Sequence, residues 1–181
     1  MRKILKNRLA LSTVVTTLII LVVSVLLAGV VTYFAINVVS TRVQQESLTL
    51  SFPSVWVAAS GHTQAALLIT NTGGRDVIIN AIQVRGISGT FGTNVYANTV
   101  TTAPSGLLAL ASYAALAPGL TGTEPITLGS GKMVEVYIDN PSGVSINDIG
   151  TTIGITVFTA QALYYTETNV QATAVLIPAP A

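Results

Sequence analysis

The sequence predicts an α+β protein in which a long N-terminal apolar α-helix precedes an all-β antiparallel sandwich. Two patterns support this prediction. Residues 9–41 contain no charged side chain, and beyond Pro53 apolar residues recur at every second position in several segments. Half of the 181 residues are hydrophobic and only 8% are charged, far below the roughly one quarter that is usual in soluble domains. Such a composition argues against an ordinary cytosolic enzyme.

The charge-free run is long enough to form a membrane-spanning helix. Its most apolar part, residues 18–39, reads LIILVVSVLLAGVVTYFAINVV, and no proline occurs before Pro53. At a rise of about 1.5 Å per residue, the run makes a helix of roughly 50 Å. A bilayer core of about 30 Å needs only about 20 residues, and a single span must be helical to satisfy its own backbone. The predicted helix is therefore longer than one membrane crossing requires.

Three interpretations of this N-terminal module compete. A secretory signal peptide has an apolar region of about 7 to 15 residues before a small-residue cleavage site, for which Ala28 and Gly29 are candidates, although the run is too long. A permanent single-span anchor would keep the basic N-terminus in the cytoplasm. The third interpretation rests on the shape of the terminus, where the basic leader MRKILKNRLA directly adjoins the apolar stretch LSTVVTTLIILVV.

On these residues, the first 50 positions resemble an archaeal type IV pilin precursor with a class III signal peptide. The resemblance implies that a prepilin peptidase cuts the chain after Ala10, so that Leu11 becomes the first mature residue and Arg8 belongs to the basic feature before the cut. Residues 1–10 would be the leader peptide. Residues 11–46 would remain as the apolar assembly and transmembrane helix, with an extracellular β-domain at 47–181.

Two positions depart from familiar patterns. Members of the family often have a basic residue immediately before the cut-site Gly or Ala, where this chain has Leu9. Bacterial type IV pilins usually carry a Glu at the fifth mature position, which is Val15 here. Archaeal members commonly lack that acid, so its absence favours the archaeal branch.

The resemblance implies a structural role in an extracellular type IV pilus-like filament. Implied partners are other copies of the chain in a helical homopolymer, the prepilin peptidase, a membrane assembly platform, and the membrane itself before assembly. The β-domain would be exposed for adhesion to cell surfaces or abiotic surfaces. Two alternatives remain: a single-span anchor for an extracellular binding domain, and an archaellin of a motility filament, whose typical glycine-containing start differs from the Leu-Ser-Thr at residues 11–13.

Packing between helices is expected along one stripe of the apolar run. Ser24, Ala28 and Thr32 place a small residue at every fourth position, which lets helices approach closely. The hydroxyls have a second explanation, since they can simply bond to the preceding turn. We predict assembly contacts at Leu18, Ile20, Leu21, Ser24, Val25, Ala28 and Thr32.

The C-terminal module shows the period-two alternation of half-buried strands. Leu48, Leu50 and Phe52 are one such set, and similar sets occur near residues 134–138 and 153–157,. The stretch AALLITNTGGRDVIINAIQV predicts a hairpin with its turn at 71–76. Seven strands in an immunoglobulin-like antiparallel β-sandwich are predicted, at residues 48–57, 64–70, 77–85, 90–96, 132–138, 151–158 and 164–176.

A long uncharged segment, residues 86–123, interrupts these strands. Its most apolar part, LLALASYAALAPGL at 107–120, is too hydrophobic for an ordinary disordered linker. We predict that it docks against the sandwich or a neighbouring subunit, a plain buried strand or short helix being the alternative.

No catalytic or cofactor motif occurs in the sequence, so neither an enzyme nor a bound cofactor or metal is expected. There is no cysteine, and His62 is the only histidine, interpreted as a surface-turn residue. Asp139 and Asp148, with Asn140 and Asn147, offer oxygen ligands for a hard cation, but solvated turn residues are the favoured interpretation. Nucleic acid is not an expected partner, because the four basic residues beyond the leader are scattered,.

Overall fold

The computed structural model of the chain describes residues 2–43, 45–106, 108 and 125–174. The chain divides into two compact units, Met1–Val43 and Gln44–Ala181. The first is a single long apolar helix, and the second is a curled sheet of mostly antiparallel strands. The predicted α+β fold class, an apolar N-terminal helix followed by a β-domain, is therefore confirmed.

Helix α1 spans Arg2–Val43 without a break. The range contains no proline and a single glycine, Gly29, where an added Cβ would meet nothing within 4 Å. In the helix interior a glycine costs about 1 kcal/mol relative to alanine, which is too little to interrupt 42 residues. The helix backbone continues through residues 10 and 11 and ends three residues before the predicted boundary at 46.

Nine strands lie in the described part of the second unit. They are β1 (Leu48–Ala58), β2 (Thr63–Asn71), β3 (Val77–Val84), β4 (Ile87–Ser88), β5 (Val95–Val100), β6 (Ile126–Leu128), β7 (Met133–Asp139), β8 (Thr152–Thr159) and β9 (Leu163–Thr173). A short 3-10 turn, Ile146–Asp148, precedes β8.

The strands form one continuous path, β4-β3-β8-β9-β1-β2-β7-β5, with β6 beside β3. Strand β9 joins the two halves of this path. Its residues Leu163 to Asn169 pair antiparallel with β8, and Val170 to Thr173 pair parallel with β1. The parallel pair departs from the wholly antiparallel prediction. It arises because β9 crosses from the sheet of β3 and β8 to the sheet of β1, β2, β7 and β5.

The main hydrophobic core comprises inward-facing residues from both sheets. Each fully buried Val, Leu or Ile side chain contributes on the order of 1.5 to 3 kcal/mol, so the second unit has a core of its own. Members with 2% exposure or less include Val55, Val57, Leu67, Ile69, Ile79, Ile82, Val134, Val136, Ile138, Ile155 and Val157.

The predicted hairpin at 71–76 is wrong. Strand β2 pairs with β1 and β7, whereas β3 pairs with β8, β4 and β6. The connection carries the chain from one sheet to the other and is held by Asn71, whose Nδ2 donates to Arg75 O at 2.8 Å and Leu128 O at 3.0 Å. Asn71 Oδ1 also accepts the Gly73 N–H at 3.0 Å. Because both edges of β2 are occupied, β3 cannot pair with it.

The strand predicted at 90–96 lies instead at Val95–Val100. Residues 90–94 form a turn, in which Thr90 N–H donates to Asn94 Oδ1 at 2.7 Å and Thr90 O accepts from Val95 N–H at 3.1 Å. Strands β4 and β6 contain only two and three residues. Such short strands show no period-two alternation of apolar residues, so the sequence did not predict them. The last strand ends at Thr173 rather than 176, and 175–176 lie outside the described residues.

A second hydrophobic cluster covers the outer face of the β1-β2-β7-β5 sheet. Trp56, Leu68 and Tyr137 belong to it, together with Leu108 from the segment after β5. Leu108 is only 4% exposed. The rest of the segment predicted to dock, residue 107 and residues 109–120, lies outside the described residues.

Candidate functional site

The seven predicted assembly residues lie on one side of α1. At about 100° per residue, their positions span about 160° of the helix circumference. The four large apolar members are between 60% and 64% exposed, because a single helix cannot cover its own side chains. We call this surface the assembly face, and it consists of Leu18, Ile20, Leu21, Ser24, Val25, Ala28 and Thr32.

The other side of α1 is no more polar. Ile19, Val22 and Leu26 lie away from the assembly face and are 55%, 45% and 63% exposed. A helix that is apolar all round belongs in a membrane or in the core of a larger assembly. Among the described residues, α1 is the one helix long and apolar enough to cross a membrane, over Ser12–Thr41. Such a helix is compatible with a membrane anchor or a signal sequence.

Hydroxyl groups within the apolar run bond to the backbone of α1 itself. Ser24 Oγ donates to Leu21 O at 2.9 Å, and Thr32 Oγ1 donates to Ala28 O at 2.8 Å. Thr16, Thr17 and Thr41 make similar bonds three or four residues back. These bonds leave no unpaired hydroxyl donor at the five positions, so each enters an apolar environment at low cost. Close helix packing at Ser24 and Thr32 stays a prediction.

The predicted processing residues lie near the start of α1. Arg8, Ala10 and Leu11 all have helical backbone, and their side chains lie outside the described part of the structure. The cut predicted after Ala10 therefore falls inside a continuous helix rather than at its end.

The second unit contains one histidine–carboxylate pair among the described residues. His62, in the turn between β1 and β2, places Nε2 at 2.7 Å from Asp139 Oδ1 at the end of β7. The β2–β7 register, which pairs Gln64 with Asp139, brings the two residues together. Asp139 is only 8% exposed. The pair links the β1–β2 turn to the end of β7.

An open pocket of about 490 Å³ adjoins this pair and is lined by Ser60, Gly61, His62 and Asn140. Asn140 has a left-handed backbone, φ 41°, and its Oδ1 accepts from Thr63 Oγ1 at 3.2 Å. The described residues contain no group of three or more His, Asp or Glu side chains able to hold a metal ion.

Asp148, the other acid considered for a cation, is engaged elsewhere. Its Oδ2 accepts from Ser145 Oγ and Ser145 N–H, both at 2.8 Å, and its Oδ1 accepts from Arg85 Nη1 at 2.6 Å. The Ser145 and Arg85 hydrogen bonds lower the pKa of Asp148 below its ordinary value. Asp139 and Asp148 therefore have separate partners, and the structure gives no support for a shared cation site.

No family model matches the chain, and no curated protein resembles it significantly.

The His62–Asp139 pair was not predicted from the sequence. Its members are 77 positions apart, and each has the ordinary surroundings of a turn residue. The pairing depends on the β2–β7 register, which no local pattern encodes.

Proposed function

We propose that the chain is a structural subunit of an extracellular type IV pilus-like filament, made as a precursor in the cytoplasmic membrane. The observation that supports this best is the length of charge-free helix in α1. Ser12–Thr41 comprises 30 residues, or about 45 Å, against about 30 Å of bilayer hydrocarbon. A filament core uses this whole length, whereas a lone span must tilt or distort the bilayer to cover it.

The packing chemistry of α1 also favours assembly. Lipid tails are as apolar as leucine, so helices that leave a membrane for a filament associate through close packing rather than simple hydrophobic transfer. Small residues at Ser24 and Ala28 permit such an approach, and the Ser24 hydroxyl is already bonded within its own helix. In the proposed filament, copies of α1 form a central bundle through the assembly face.

The second unit supports the proposal that the β-domain lies on the outside of the filament. Its core is formed by its own strands, so the β-domain can project from the filament and meet cell surfaces or abiotic surfaces. The proposed partners before assembly are the membrane, the prepilin peptidase and an assembly platform. An archaellin would assemble in the same way and differ in driving motility.

A single-span anchor for an extracellular binding domain is the second candidate. Ser12–Thr41 satisfies the length and composition of one crossing, which favours this candidate as well. The two functions differ in whether α1 must tolerate close contact with copies of itself.

A lysine in the middle of α1 tests the proposal. A charge at the centre of a membrane helix costs about 3 kcal/mol on insertion scales, and a filament repeats that cost in every subunit. We expect Val25→Lys to abolish surface filaments in electron micrographs, while immunoblots still detect the subunit in the membrane fraction.

Thr41→Lys is the matched control. It introduces the same side chain beside Arg42, near the helix end, where a lysine reaches water. Cells with this variant should retain filaments. Normal filaments with Val25→Lys at normal subunit levels would contradict the proposed role of α1 as the assembly core.

A further inference from the structure

The outer face of the β3-β8-β9 sheet carries an exposed aromatic ring among uncharged side chains. Cross-strand pairing places Gln83, Thr156 and Tyr165 in one row, and the same pairing forms a second row beside it. Tyr165 is 58% exposed and Leu163 is 56% exposed. We call this surface the Tyr165 platform; it consists of Ala81, Gln83, Thr156, Phe158, Leu163 and Tyr165.

The Tyr165 ring is held in place on the sheet. A Cβ added to Gly154, on the neighbouring strand β8, would collide with Tyr165 Cε2 and would lie 2.6 Å from the Tyr165 hydroxyl oxygen. The ring therefore occupies the space directly above this glycine. The Tyr165 hydroxyl donates to Glu167 Oε1 at 2.8 Å, and this hydrogen bond holds the hydroxyl end of the ring in place. An exposed ring that is already ordered loses little conformational freedom when a ligand covers it.

The charge around the ring favours an uncharged ligand. Glu167 is the one charged residue directly beside the ring in the described register, and one of its oxygens already accepts from Tyr165. Arg85, at the end of β3, is paired with Asp148. The platform residues themselves carry no charge, and the negatively charged Glu167 carboxylate beside the ring disfavours an anionic ligand.

The polar groups next to the ring suit a ligand with many hydroxyls. Gln83 Nε2 donates to Ser88 Oγ at 3.0 Å, and its carbonyl oxygen has acceptor capacity toward solvent. Thr156 adds a hydroxyl that both donates and accepts. The face of an aromatic ring is electron-rich and attracts the slightly positive C–H groups of an apolar surface. A sugar ring combines such a C–H face with hydroxyls around its rim.

We propose that the Tyr165 platform binds uncharged polysaccharides, with one sugar ring stacked on Tyr165 and its hydroxyls bonded to Gln83 and Thr156. This binding goes beyond the proposed filament role, because single chains suffice for it.

The size of the platform also favours a sugar over a second copy of the chain. Neighbouring strands lie about 4.8 Å apart, and rows on one face lie about 7 Å apart. Three strands and two rows thus form a surface of about 10 Å by 7 Å, on the scale of one or two sugar rings. A stable interface between proteins buries about 800 Å² on each partner.

Frontal affinity chromatography tests the proposal with the full-length chain in lauryldimethylamine oxide, a detergent without a sugar headgroup. The probes are immobilised dextran, mannan and galactan, which are neutral, and alginate, which is anionic. We expect retention on at least one neutral polymer and none on alginate. Tyr165→Ala should raise the dissociation constant for that polymer at least tenfold.

Two further variants separate binding from folding. Gly154→Ala retains Tyr165 but displaces its ring, and should weaken binding severalfold. Ile146→Ala removes an apolar side chain that is 48% exposed outside the platform, and should leave retention unchanged. The fluorescence of Trp56, the single tryptophan, reports folding of each variant.

Absence of retention on all three neutral polymers would overturn the proposal, as would retention that Tyr165→Ala leaves unchanged. Light scattering of the same samples gives a third outcome. If Tyr165→Ala reduced oligomer size without any polysaccharide effect, the platform would be an interface between copies. Because the chains are in detergent rather than in filaments, failure of filament assembly does not alter the result.

Discussion

A single residue with unusual backbone geometry reorganises strand β1. Phe52 has a φ of 52°, rare for a bulky residue, and the β1–β2 register shifts between Ser51 and Ser54. Leu50 packs against the main core, whereas Phe52 packs against the outer cluster. The predicted alternation of Leu48, Leu50 and Phe52 on one face is therefore wrong at its last member. Pro53, which lacks an N–H, lies within this bulge, as proline in a sheet requires.

Tyr137 makes stability depend on pH in the alkaline range. Burial, and secondarily the charge of Glu135, raise its pKa to about 12. Between pH 10 and 12 the folded state retains a proton that the unfolded state releases, so this stabilisation is present below pH 10 and is lost as pH rises through 12. We expect the free energy of unfolding to fall by as much as about 2 kcal/mol over this range.

Tyr137→Phe should flatten this dependence in chemical unfolding followed by Trp56 fluorescence at several pH values. Tyr165→Phe, at a side chain that is 58% exposed, is the control and should leave most of the dependence intact. An unchanged pH profile in Tyr137→Phe would refute the assignment to this residue.

At the scale of elements, α1 and the strands obey different constraints. The helix satisfies its own backbone hydrogen bonds, so a run without proline or charge is sufficient to specify it. The first residues of the second unit depend on distant partners: Ser47 O accepts from Thr72 N–H at 2.9 Å and Gly73 N–H at 3.0 Å. Glu46 accepts a hydrogen bond from Thr159 Oγ1. These contacts attach the start of β1 to both sheets of the second unit.

The N-terminus of α1 should be shortened during maturation. If the basic leader is a class III signal, a peptidase cuts between Ala10 and Leu11, and mass spectrometry of the extracellular form will find Leu11 at the N-terminus. Ala10→Asp should block the cut, because the peptidase that the resemblance implies cuts after Gly or Ala, while Val43→Ala at the other helix end should not. Retention of Met1 would argue against processing, and a start near Val30 would indicate an ordinary signal peptide.

At the scale of the whole molecule, the contacts within the second unit predict that it folds without the first. Its main core comes from its own strands. Its first residues are bonded within the unit, as Glu46 and Ser47 demonstrate. Nothing in this network of described contacts requires a side chain of α1.

A fragment comprising residues 45–181 should therefore be soluble and give a β-type circular dichroism spectrum with one cooperative thermal transition. Leu108→Ser in this fragment should cost about 2 to 5 kcal/mol, because it removes a large apolar side chain from the outer cluster. Thr102→Ser, at an exposed position in the same connection, should have little effect. A fragment that is unfolded at every concentration would show that the β-domain needs α1 or neighbouring subunits for its core.

Local sequence patterns were enough to predict α1, most strand positions and the division between an apolar helix and a β-domain. These features are local, since periodicity and the absence of charge or proline act on consecutive residues. The folded structure was needed to learn that β2 and β3 belong to different sheets, that His62 contacts Asp139, and that Tyr165 lies over Gly154. The first two depend on which strand edges pair across long separations, where all edges of the molecule compete, whereas the third depends on how the Tyr165 ring lies across the β8–β9 pair.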